Sequence, residues 1–116
     1  MKIKELLLGA VLFTLGQSIA WYQTNGQFIS SWIKEHPLLM SAIVGVPVGM
    51  CYIYGTTYTV SAFEGELWPA RIIGFTTGIF SFTVLTTLHL NQTIDLKTGV
   101  ILSLAIIIIL LQAFWK

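Results

Sequence analysis

The chain has 116 residues, of which 55% are hydrophobic and only 9% charged, for a formal net charge of +1; its mean hydropathy is +0.81. A soluble domain carries about 25% charged residues, and a chain this short exposes too much of its surface to hide so many apolar side chains from water. Near-neutral charge without a basic patch gives no nucleic-acid reading, and Cys51, the single cysteine, has no partner for a disulfide.

Four stretches hold no Asp, Glu, Lys or Arg: residues 6–33, 37–63, 72–94 and 98–115, of 28, 27, 23 and 18 residues. A helix needs roughly 20 apolar residues to cross a bilayer core. The expectation is an all-α integral membrane bundle of four transmembrane helices in one domain, 1–116, with spans over 6–22, 38–60, 70–90 and 99–115. The basic start and the apolar run from Leu6 to Ala20 have the shape of a signal peptide, but uncharged sequence continues through Tyr22, and a retained first helix is expected. Trp21 and Tyr22 close this span with side chains suited to the membrane interface. Asn25-Gly26 marks a turn, and the short amphipathic segment from Phe28 to Ile33 leads to Pro37, well placed to open the second helix.

The second span contains Pro47, expected to kink it, flanked by Gly45 and Gly49, and ends in a polar-aromatic stretch with Tyr52 and Tyr58. A short connection carries Glu64, Glu66 and Trp68, and Arg71 opens the third span. Asn91 to Thr98 forms the last turn before an isoleucine-rich fourth span. An even number of spans puts both termini on one side. Lys2, Lys4, Arg71 and Lys116 then oppose Lys34 and Lys97, and the positive-inside rule places the termini in the cytoplasm.

No acid falls inside a span, so proton coupling through a buried carboxylate has no obvious residue. Glu64, Glu66 and Arg71 are candidate gate or loop charges; solvated anchoring charges are the plainer reading. His89 has no His, Cys or acid three or four positions on, and no nucleophile–base pair, phosphate loop or metal set is evident. No metal, cofactor or enzymatic activity is expected. Ala70, Gly74 and Gly78 recur every four residues, and with Gly45 and Gly49 they are candidate helix-packing positions, since small residues let helices approach closely in lipid. Thr14, Gln17 and Trp21 share a helical face; with Tyr52, Tyr58 and Trp68 they are the candidate substrate-facing residues, whose aromatic members suit an organic cation. Simple interhelical hydrogen bonding is the plainer reading of the polar ones.

Several local patterns carry a resemblance. Gly9-Ala10-Val11-Leu12 followed by Gly26, Trp68 ahead of the glycine-rich Ile73–Gly78, and Asn91-Gln92-Thr93-Ile94-Asp95-Leu96 before an apolar last helix resemble the small multidrug resistance proteins of the drug/metabolite transporter superfamily. The resemblance implies a membrane-embedded dimer, parallel or antiparallel, or a partner for another subunit. The family's first-helix glutamate falls on Thr14 here, which puts ordinary proton-coupled antiport in doubt. Two further readings stand beside it: a non-transporting membrane subunit or scaffold, holin-type proteins included, and, last, a lipid-acting enzyme using Glu64, Glu66 or His89. The partners expected are the lipid bilayer and a second copy or another membrane subunit.

Overall fold

The computed structural model describes residues 2–115; Lys116, counted in the charge bias, lies outside the described residues. The elements are α1 (Ile3–Asn25), a 3₁₀ turn (Gly26–Phe28), α2 (Ser31–Glu35), α3 (Pro37–Ala62), α4 (Trp68–Leu90) and α5 (Leu96–Phe114). The protein is all-α, and α1, α3, α4 and α5 are each long and apolar enough to cross a membrane. Large apolar side chains stand open along them, with Val11 64%, Ile43 62% and Leu88 69% exposed. Lipid is the only solvent that tolerates such a surface. The chain is an integral, multi-pass membrane protein.

Helices α1, α4 and α5 begin a few residues before the charge-free stretches. Helix α1 begins at Ile3, so Lys4 and Glu5 sit in its first turn, where long side chains reach the interface while their stems stay apolar. Pro37 opens α3, and the helix continues through Pro47 to Ala62 as one element. It ends in a Schellman motif: the Gly65 N–H bonds the Val60 carbonyl at 2.9 Å and the Glu64 N–H bonds that of Ser61 at 3.4 Å. Glu64 holds the left-handed position at φ 58° where glycine is usual.

Direction follows from contacts at the ends. The Lys2 N–H donates to the Ala62 carbonyl at 3.1 Å, and the Ser61 hydroxyl donates to the Glu5 carboxylate at 2.7 Å. The start of α1 therefore meets the end of α3. Trp21 near the end of α1 bonds Thr86 near the end of α4, so α1 and α4 run parallel with α3 antiparallel to both. The result is a flattened body of 48 × 36 × 18 Å in which α1 packs against α3 and α4, and α5 packs chiefly on α4.

Glycines set the α1–α3 approach. A Cβ on Gly9 would collide with the Thr59 Oγ1 and lie 3.1 Å from the Gly55 carbonyl oxygen; one on Gly16 would lie 2.9 Å from the Cys51 Cβ. Phe13, between them in sequence, is buried with Ala70 and Ile73. Its ring lies over Gly55 of α3 and Gly74 of α4, whose added Cβ atoms would sit 3.1 Å and 3.6 Å from it. In lipid this close contact replaces the hydrophobic effect as the force between helices.

Gly9→Ala should lower stability by about 1–3 kcal/mol, since the methyl has nowhere to go. Gly49→Ala, with nothing within 4 Å of its Cβ, should stay within about 0.5 kcal/mol of the parent. Reversible unfolding in mixed detergent micelles reads both, and equal midpoints for the two variants would refute the tight α1–α3 seam.

Asp95 caps α5 by accepting the Thr98 N–H at 2.8 Å, and that bond holds its carboxyl below the usual carboxylate range. A folded-state value below the unfolded one means the cap stabilises fully above the ordinary carboxylate pKa and fades as pH falls through the depressed value. The thermal midpoints of the parent and Asp95→Ala should therefore differ at neutral pH and converge in strong acid.

Candidate functional site

A cavity of about 640 Å³ opens between α1, α3 and α4, lined by Phe13, Gln17, Tyr52, Thr56, Leu67, Trp68, Ala70, Arg71 and Gly74. The spacing explains the set: Phe13 and Gln17 are one turn apart on α1, Tyr52 and Thr56 one turn apart on α3, and Ala70 and Gly74 one turn apart on α4. Gly78 leaves room for the Gln17 side chain, whose Nε2 donates to the Gly74 carbonyl at 3.1 Å. A Cβ on Gly78 would lie 2.9 Å from the Gln17 carboxamide carbon. The Phe13 and Tyr52 rings tilt together, their centroids 6.5 Å apart.

The polar groups of the spans divide by place. The hydroxyls of Thr14, Ser18, Ser41, Thr57, Thr83 and Ser103 each donate to the carbonyl four residues back. That local bond lets them face lipid cheaply. In the cavity, the Thr56 and Tyr52 hydroxyls and the Arg71 guanidinium make no side-chain hydrogen bond among the described residues, and Gln17 makes only the one. Arg71 is exposed near the start of α4, whereas an unpaired hydroxyl deeper in a span is expensive unless water or another polar group meets it.

The sequence candidates separate accordingly. Gln17, Tyr52, Trp68 and Arg71 come together with Ala70 and Gly74 around the cavity. Thr14 does not line it: it is exposed, a turn of about 100° from Phe13, and its short side chain folds back to the Ala10 carbonyl at 2.7 Å. Tyr58 is exposed, and its six-residue offset from Tyr52 turns it to another face of α3. Glu64 and Glu66 are exposed in the connection before α4 and stand outside the lining. Ala70, Gly74 and Gly78 meet α1, whereas Gly49 is open and Gly45 has only the Gln23 amide, 3.7 Å from its Cβ position. Phe13, Thr56 and Leu67 were missed as candidates. For Phe13 a signal existed: Gly9 and Gly16 flank it at helical spacing.

Trp21 is buried away from the cavity. Its Nε1 donates to the Thr86 hydroxyl at 3.0 Å, its ring stacks on His89 at 5.4 Å, and the Tyr22 hydroxyl bonds the His89 Nε2 at 2.7 Å. This cluster ties the ends of α1 and α4 at the membrane face opposite the Arg71 end. His89 is thus held by aromatic neighbours, and no group of three His, Cys, Asp or Glu that could hold a metal ion occurs among the described residues.

Comparisons with protein-family models, curated proteins and solved structures returned no match. The functional reading rests on the cavity itself.

A double-mutant cycle on Trp21→Phe and Thr86→Val should return a coupling of about 0.5–1.5 kcal/mol, the range for an interhelical hydrogen bond. Strict additivity of the two unfolding free energies would show that the bond does not join α1 to α4.

Proposed function

We propose that this protein is a small transporter-like membrane protein that binds a solute in the cavity between α1, α3 and α4 and moves it across the bilayer as a dimer. The observation that carries the reading is one apolar-walled space between three helices that gathers the polar side chains of Gln17, Tyr52 and Thr56, with the exposed Arg71 at its α4 end. A volume of about 640 Å³ falls in the range of about 300–1,000 Å³ typical of small-molecule sites. The resemblance to small multidrug resistance proteins belongs to this proposal. Thr14, which stands where that family has its glutamate, lies outside the cavity, so coupling through that position has no support here.

Dimerisation is supported by α5, which buries only Ala105 within the chain and leaves the rest of its apolar surface to lipid or a second copy. Lys2, Lys4 and Arg71 on one face against Lys34 and Lys97 on the other favour cytoplasmic termini. The same lightly packed α5 and the open Gly45–Gly49 stretch favour a second reading, a non-transporting subunit or scaffold, holin-type proteins included.

Proteoliposome uptake across a panel of small organic solutes tests the proposal. At least one solute should be taken up, Gln17→Leu or Tyr52→Ala should reduce its rate about tenfold or more, and Thr14→Ala should leave it unchanged. A panel that stays flat, together with co-purification of a membrane partner, would favour the scaffold instead.

A further inference from the structure

We infer that the cavity is selective for anions and takes a small aromatic carboxylate, with the ring among Phe13, Tyr52 and Trp68 and the carboxylate on Arg71. The inference rests on the solute-binding reading above and gives that site its ligand chemistry. Among the described residues, Arg71 is the one charged residue in the lining, and no Asp or Glu contributes to it. The carboxylates of the same membrane face lie elsewhere. Glu5 accepts the Ser61 hydroxyl at 2.7 Å and lies 3.9 Å from the Lys2 ammonium; Glu64 and Glu66 are exposed in the connection before α4. None of them pairs with Arg71, since the Lys2–Glu5 contact is the only salt bridge among the described residues.

Arg71 is exposed at the α4 end of the cavity with no carboxylate paired to it among the described residues, and its planar fork matches a carboxylate through two parallel N–H donors. An organic cation, the ligand that the aromatic residues alone would suit, would enter a space with a fixed positive charge and no carboxylate to offset it. Three aromatic side chains supply faces for a flat ring, while Gln17, Tyr52 and Thr56 supply neutral donors that add to the anion's solvation. The chemistry fits a dissolved carboxylate or the phosphate of an anionic lipid headgroup; the aromatic walls favour the former.

The test uses two probes with one ring and opposite charge, 2-naphthoate and 2-naphthylmethylammonium, titrated against the full chain in phosphatidylcholine nanodiscs, with empty discs subtracted. The naphthoate should bind about tenfold or more tightly than the ammonium. Arg71→Gln should abolish that preference, and Arg71→Lys should keep part of it. Because the preference is read on the unaltered protein, it stands even if an Arg71 variant fails to fold. Equal binding of the two probes, or tighter binding of the ammonium, overturns the anion assignment and leaves the solute cavity in place. Binding of neither probe, with Tyr52→Ala without effect, overturns both. Displacement of naphthoate by added phosphatidylglycerol would support the anion site and identify a headgroup as its occupant; unchanged binding would support it with a dissolved anion.

Discussion

The contact on which the fold turns is the seating of α1 against its neighbours at glycine. Gly9 and Gly16 bring its backbone against Thr59 and Cys51 of α3, and the Phe13 ring fills the space that Gly55 and Gly74 leave on either side. In water, burial of apolar area would hold such helices together whatever their detailed shape. In a bilayer the tails are as apolar as leucine, and only closeness of fit distinguishes a neighbouring helix from lipid. The helices with small residues in register therefore form the packed body, while α5, rich in isoleucine, is only lightly engaged.

The same fit creates the cavity. Phe13 wedges α1 between α3 and α4, and beside it α4 carries Ala70 and Gly74 on the facing side. Small residues there leave space rather than filling it, and Gln17 extends into part of that space to reach the Gly74 carbonyl. Packing residues and cavity-lining residues thus adjoin along one seam. At the far end of α1 and α4, the Trp21, Tyr22, Thr86 and His89 cluster fixes the pair by hydrogen bonds and ring contacts, so the two helices are joined at the end remote from Arg71.

Polar groups in the spans are treated in three ways. Several hydroxyls bond their own helix, others bridge helices, and the Tyr52 and Thr56 hydroxyls of the cavity have no partner among the described residues. Thr59 departs from this scheme: its Oγ1 is fully buried without a hydrogen-bond partner among the described residues, pressed against Gly9. The closeness of the two backbones there accounts for the burial, and no feature of the site accounts for the orphan oxygen.

Hydropathy and charge alone fixed the number of spans and their approximate limits, because the cost of burying a charge in hydrocarbon punctuates the chain at Glu5, Lys34, Glu64–Arg71 and Asp95–Lys97. The stripe of Ala70, Gly74 and Gly78 was legible too, since only small residues allow close contact. What the chain order could not convey was which side of each helix turns inward. Helices apolar on every side carry no directional signal, unlike amphipathic helices in water. Thr14 and Gln17 therefore read as equivalent, and the packing separated them: Thr14 bonds its own helix on an exposed face, whereas Gln17 meets Gly74. Likewise Arg71, placed by sequence among loop charges, joined Tyr52 and Gln17 only when α3 and α4 closed around Phe13. That meeting depends on shape fit between distant segments, which residue spacing along one helix does not encode.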